Sequence, residues 1–247
     1  MLIRHPSTLA VSALTIGLLS LTPSSSALVP DNSEGAYSGG FQIASDRVIP
    51  DSRYIARFRV LGAEITSNGN YDLPVTARLK VGNTNFEPFG ALASPVAGNV
   101  NDHHFPKDHI LDSHYSAGTA FTIEAKSWQR SNTYTNGTLA SDWKELITVS
   151  SSVQSANMIV LRNGDAVPSI PAFQNQAGIG QIIRDHVNVA TGKVVIADDE
   201  AIFLYELGTT NLSSPAADFQ DFVILVTLAD DKVHFEGPRV PPSLQFD

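Results

Sequence analysis

The chain has no cysteine in 247 residues. That excludes disulfide staples, thiolate metal ligands, a lipid-modified cysteine and a cysteine nucleophile. The fold must therefore stand on its core, with a metal ion as the available cross-link. Basic residues are also scarce, 16 Lys and Arg against 25 Asp and Glu for a formal charge of −9. Such a balance excludes nucleic acid as the partner, because phosphate binding needs basic surface. The longest apolar run, residues 9–21, falls short of the ~20 residues that span a bilayer. Absent too are a Gly-x-Ser-x-Gly elbow, a Gly-rich phosphate loop, a dinucleotide fingerprint and a His-Glu-x-x-His pair. No Ser-His-Asp order can be assigned, and no internal repeat is visible.

What is present begins with a leader-like segment. Arg4 precedes the apolar run 9–21, Thr22-Pro23 breaks it, and Ser25-Ser26-Ala27 supplies small residues for cleavage. Residues 1–27 are thus expected to be a signal peptide, giving a secreted protein, extracellular or periplasmic, with no stable membrane span after cleavage. Its removal leaves 220 residues and takes away one arginine and no acid, so the charge becomes −10. Residues 28–50 are expected to be a flexible N-terminal segment, residues 51–232 the folded domain, and residues 233–247, with Pro238, Pro241 and Pro242, a loose tail. Asn136-Gly137-Thr138 and Asn211-Leu212-Ser213 are formal glycosylation sequons, meaningful only in a eukaryotic secretory pathway.

Period-two patterning dominates. Tyr54, Ala56, Phe58 and Val60 alternate with Arg57 and Arg59, and Val75, Ala77, Leu79 and Val81 alternate with Thr76, Arg78 and Lys80. With Asn68-Gly69-Asn70 between them, these two segments are expected to pair as a hairpin. Further strands are expected at 121–128, 146–149, 157–162 (closed by Asn163-Gly164), 193–196, 201–207 and 222–228. Ile179, Ile182, Ile183 and His186 or Val187 fall at helical spacing and predict one short helix within 177–189. Many short strands, Asn-Gly turns and one helix give an all-β fold, an antiparallel β-sandwich of jelly-roll or Ig-like type with one short helix; a barrel would leave similar local signals.

The segments 201–207 and 222–228 are apolar on both faces, which predicts central, adjacent strands. Adjacency brings Glu206, at the end of one, near Asp221, at the start of the other, with Asp218 in the intervening loop. Three hard oxygen ligands suit Ca²⁺, which takes ~6–8 oxygens; zinc would want imidazole or thiolate. The expected metal ligands are therefore Glu206, Asp218 and Asp221. Two alternatives stand beside this. The aspartates could cap a turn while Glu206 pairs with an arginine such as Arg162, or two of the carboxylates could serve in acid/base chemistry. The arrangement of strand, Glu206, loop, Asp218-Phe219-Gln220-Asp221, strand resembles the C-terminal part of a bacterial exoprotein domain of unknown function, family 4114. The resemblance covers about thirty residues, with Glu206, Asp218, Phe219 and Asp221 matching. Ala216 replaces a first aspartate and Gln220 an asparagine. It implies an extracellular β domain without established activity.

A second candidate is the segment 101–114, with His103, His104, His109 and His114 among Asp102, Asp108 and Asp112. Imidazole plus carboxylate is a Zn²⁺, Ni²⁺ or Cu²⁺ ligand set, although Pro106 forbids one continuous helix. Trp128 and Trp143 are candidates for a sugar-stacking platform. The leading expectation is a non-enzymatic cell-surface or matrix module with a Ca²⁺ site, whose partner is a cell-surface or matrix component or a glycan. The alternatives are a lectin-like carbohydrate-binding module and a metal-dependent hydrolase built on residues 102–114.

Overall fold

Two antiparallel sheets account for most of the strands in a computed structural model of the chain, which describes residues 39–44, 47–67, 70–101 and 107–235. All of these belong to the unit Asp31–Asp247, and the expected signal peptide lies outside the described residues. Among the described residues no helix is long and apolar enough to cross a membrane.

The first sheet has the order β1 (Phe41–Ala44), β2 (Arg47–Pro50), β7 (Phe121–Arg130), β4 (Val75–Val81) and β5 (Thr84–Phe86), with β8 (Trp143–Ser150) also paired to β7. The second has the order β6 (Lys107–Ile110), β3 (Ile55–Gly62), β13 (Phe222–Ala229), β12 (Glu200–Tyr205) and β9 (Met158–Leu161). The two sheets face each other across one core. Phe58 of β3 meets Phe121 of β7 edge-on, with ring centroids 5.3 Å apart. The Tyr205 hydroxyl donates to the Ile123 carbonyl at 3.1 Å, and the Ser127 hydroxyl donates to the Leu207 carbonyl at 2.6 Å. The polar tips of these buried residues are thus satisfied across the gap, as burial requires. This is the all-β sandwich that the alternating pattern predicts.

Three expectations are corrected. Segments 53–65 and 75–81 do not pair with each other. β3 lies between β6 and β13, and β4 between β7 and β5, so the chain crosses from one sheet to the other between them. Alternation fixes which side chains face inward but not which strand is the neighbour. The domain also begins before Asp51. Phe41 and Val48 are buried in the core, and β1 pairs with β2 over residues expected to be flexible. Finally, the predicted helix shrinks to one turn, α1 (Ile179–Ile182), followed by a 3-10 turn at Arg184–His186 and the short strand β10 (Val187–Asn188). At the other end, Lys232–Phe235 form a 3-10 turn with Phe235 buried, and residues 236–247 of the expected tail lie outside the described residues.

The second sheet is covered on both faces. On the side away from the sandwich core, Ile202, Leu204, Val223 and Leu225 pack against Ile179, Ile183, Val187, Val194 and Ile196 from residues 162–199, which include α1, β10 and β11 (Lys193–Val194). This third layer explains why β12 and β13 are apolar in both parities. It also explains the length of α1: a single turn with its 3-10 extension and β10 delivers Ile179, Ile183 and Val187 to the sheet. Gly62 of β3 leaves room for it, since a Cβ there would lie 2.8 Å from Ile182 Cγ2. Gly62→Ala is expected to cost about 1–2 kcal/mol by overpacking, read as a lower urea midpoint with faster amide exchange across 179–187.

Candidate metal centre

β12 and β13 pair from Glu200↔Thr227 to Tyr205↔Phe222. The same register continued by one residue sets Glu206 opposite Asp221, and both follow the parity of Ile202, Leu204, Val223 and Leu225, which face the third layer. Like charges directly opposite on neighbouring strands repel. Here they are also buried, with relative exposures of 0% for Glu206, 1% for Asp218 and 3% for Asp221. Each contributes an oxygen lying within 4.8 Å of the others. Ca²⁺–oxygen bonds are about 2.4 Å long, so two ligands of one ion lie at most about 4.8 Å apart. The cluster therefore has the dimensions of one coordination shell.

Backbone amides surround it. Glu206 Oε1 accepts from the amides of Gly208 (2.9 Å) and Thr209 (2.9 Å), and Oε2 from those of Asp218 (2.8 Å) and Phe219 (3.2 Å). Asp221 Oδ2 accepts from Leu207 (2.5 Å) and again from Gly208 (2.7 Å). Each strand's carboxylate thus holds the opposite side of the loop closed. Phe173, in the 162–199 segment, donates its amide to Asp218 Oδ2 at 2.9 Å, while Asp218 Oδ1 is buried without a hydrogen-bond partner among the described residues. The loop geometry is demanding. Phe219 has φ of +58°, a conformation that is uncommon for a residue with a Cβ, and its ring is packed in the third layer. Asn157, ahead of β9, donates its side-chain amide to the carbonyls of Glu206 (3.2 Å) and Thr209 (2.6 Å), fixing the exit of β12.

No Lys or Arg among the described residues forms an ion pair with the three carboxylates. Arg162, the partner that the ion-pair alternative would give Glu206, instead lies over the Phe41 ring, 4.2 Å from its centroid. Burial, opposed by the Phe173 amide and reinforced by the charge of Glu206, raises the Asp218 carboxyl from 3.8 to about 6. Burial first, then the charges of Glu206 and Asp218, push Asp221 well above the usual carboxylate range. The amides offset part of the negative charge; the remainder calls for a proton or a cation. All donors are oxygens, which suits a hard cation and not zinc.

The other predicted sites do not assemble in this way. Glu206, Asp218 and Asp221 are the one trio of potential ligands that converges among the described residues. Asp108 is forked by both Arg57 and Arg59 at 2.8–2.9 Å. His109 sits near Phe86, and burial lowers its pKa. His114 Nε2 donates to the Asp230 carbonyl at 2.7 Å. Asp102, His103 and His104 lie outside the described residues. Trp128 is buried, its indole N–H donating to Thr76 Oγ1 at 3.0 Å, so it offers no sugar platform. Trp143 is only half-buried.

Sequence reading missed a second nested carboxylate. Asp142 is fully buried and accepts from the amides of Thr135 (2.8 Å), Gly137 (2.9 Å) and Leu139 (3.2 Å) and from the Thr135 hydroxyl. Burial raises its pKa, but these hydrogen bonds outweigh it and hold the group below the usual carboxylate value. The Asn136-Gly137 turn was the available signal. No family model, curated protein or solved structure matches the chain.

Proposed function

We propose that the protein is an exported, non-enzymatic β-sandwich module of a cell surface or matrix, with Ca²⁺ held by Glu206, Asp218 and Asp221 as a structural clamp on the 207–221 loop. One observation carries the ion: three buried carboxylates lie within one coordination diameter, and one of their oxygens, Asp218 Oδ1, has no hydrogen-bond partner among the described residues. The leader-like residues 1–27 support the location. Against catalysis by this cluster, all three carboxylates are sealed from solvent, and the loop amides occupy both oxygens of Glu206. A substrate would have to displace the hydrogen bonds that shape the loop. Clamping is the role such an ion can fill, because it ties two central strands and the third layer at one point.

Thermal unfolding of the purified protein in Ca²⁺ and in chelator tests the ion. The midpoint is expected to rise with Ca²⁺ and to keep rising with the logarithm of its concentration above the dissociation constant, because a ligand of the native state alone stabilises by mass action. Superimposable curves in the two buffers at about pH 7.5, above the raised Asp218 value, would remove the ion from the reading. Mg²⁺ is expected to do less, since it holds its waters and demands octahedral geometry that this cluster of part-occupied oxygens does not offer.

A further inference from the structure

At the far end of β7, Arg130 is opposite Trp143 of β8. Its guanidinium lies between two rings, the Cζ atom 3.3 Å from the centroid of Tyr71 and 4.2 Å from that of Tyr134. Tyr134 in turn meets Trp143 edge-on at 5.6 Å. The loop carrying Tyr134 is held rigid by the buried Asp142, and Trp143 is fixed through its indole N–H, which donates to the Gly137 carbonyl at 3.0 Å. Arg130 itself is exposed, and its side chain makes no hydrogen bond or ion pair with another described residue. Arg57, Arg59 and Arg78, by contrast, are all engaged by carboxylates. Arg162 also stacks on a ring, that of Phe41, without a carboxylate partner among the described residues, but Arg130 is the arginine held by two rings.

The physical consequence is a preorganised anion receptor. Two aromatic rings lie against the guanidinium carbon, so the N–H donors at its edge are what remains for a ligand. Stacking has already removed much of the rotamer freedom that a free arginine loses on binding. A planar fork of donors matches the two oxygens of a carboxylate. Half-buried tyrosine and tryptophan rings beside it offer apolar surface with polar tips, the surface on which the C–H face of a pyranose stacks. A carboxylate carried on a rigid sugar ring meets both requirements at once, whereas an acidic peptide brings its carboxylate on a flexible stem without such a face.

We propose that Tyr71, Arg130, Tyr134 and Trp143 form a binding site for an acidic polysaccharide whose sugar units carry carboxylates. This rests on reading the protein as a binding module but is independent of the Ca²⁺ site.

Calorimetric titration of the full chain, in chelator so that Ca²⁺-bridged uronate plays no part, tests it with three probes: short oligogalacturonate, oligoalginate and hyaluronan. At least one is expected to bind, and Arg130→Gln and Tyr134→Ala are each expected to weaken that binding about tenfold or more. Arg130→Lys is expected to weaken it too, because an ammonium is a point charge without the fork. Where the bound probe is methyl-esterified, the same loss is expected, since the ring is kept and the charge removed. Unchanged melting midpoints in the variants would show that the fold is intact; if one variant unfolds, the other carries the test. Failure of all three probes at about 1 mM, undiminished binding by both folded variants, or equal binding of a hexaglutamate peptide overturns the proposal. Failure here with a Ca²⁺-dependent melting shift still present removes the polysaccharide site alone. The converse result removes the ion alone.

Discussion

Glu206→Ala is expected to lower the stability of the domain by about 3–5 kcal/mol, a large effect of the kind that breaking a buried polar network produces. The side chain accepts four backbone amides, those of Gly208, Thr209, Asp218 and Phe219. Gly208 keeps a second acceptor in Asp221 Oδ2, whereas the other three amides lose theirs. Each amide left buried and unpaired costs about 1–3 kcal/mol. An opposing effect exists, because removing one of three neighbouring negative charges relieves Asp218 and Asp221, whose pKa values Glu206 helps to raise. The amides win, since three of them are stranded together and the relief is already partly achieved by protonation of the aspartates. For a domain of this size the loss corresponds to a fall of about 10 °C in the melting midpoint. Asp218→Asn separates the two effects. It keeps an acceptor for the Phe173 amide, removes a charge that burial disfavours, and is expected to leave or raise stability in chelator while weakening the response to Ca²⁺. A Glu206→Ala protein that melts within about 2 °C of the parent would show that the nest of amides does not hold the loop.

The two strands that build this corner were legible in the sequence because the third layer writes itself into them. Ile202, Leu204, Val223 and Leu225 would be polar if that face met water, and their apolar character announced a cover before the cover could be described. The placing of Glu206 opposite Asp221 followed from adjacency alone. The form of the cover was not legible. Ile179, Ile182, Ile183 and Val187 sit at helical spacing, yet Gly178 and Gly180 flank the start and the run spans barely two turns. A turn of helix, a 3-10 turn and a short strand satisfy the same contacts, so periodicity could not decide between them. The partners of β3 and β4 were misread for a similar reason. A turn-like Asn-Gly between two alternating segments is compatible both with a hairpin and with a crossing between sheets, and the strand partners, β6 and β13 for β3 but β7 and β5 for β4, distinguish them. Of the Arg130 site only Trp143, a sugar-stacking candidate, was legible, because no local pattern ties it to Arg130 and Tyr134, and Tyr71 arrives from a distant point of the chain.

Acidification and calcium are expected to act on the corner in opposite ways. In chelator, Asp218 titrates at about 6 in the folded protein against 3.8 for its ordinary value, and Asp221 is shifted in the same direction by the same causes, burial before charge. A carboxyl whose folded pKa is raised contributes its full stability when protonated in both states, below the unfolded pKa, and loses that contribution as the pH rises through the folded pKa. The metal-free melting midpoint is therefore expected to climb as the pH is lowered from about 8 towards about 5. His109, a base whose pKa burial lowers, opposes this rise as the pH falls through its range, and the two raised aspartates are expected to outweigh it. Asp142 does not oppose it, because its pKa is lowered. Its contribution is intact above the unfolded value and is lost only when the pH falls through the folded one, below the window in question. Ca²⁺ requires the deprotonated oxygens, so each proton taken up by Asp218 or Asp221 competes with the ion. At about 100 times its dissociation constant the ion adds about 2.7 kcal/mol. That gain is expected to be largest near the alkaline end of the window, to shrink as the pH falls through about 6, the value for Asp218, and to have lost about half or more one unit below it. The double variant Asp218→Asn, Asp221→Asn flattens both responses, because neither a proton nor a cation then has a carboxylate to take at those positions. A Ca²⁺-induced shift in midpoint of the same size at about pH 8 and about pH 5, or a metal-free midpoint that falls between those values, would mean that protons and the ion do not share these oxygens.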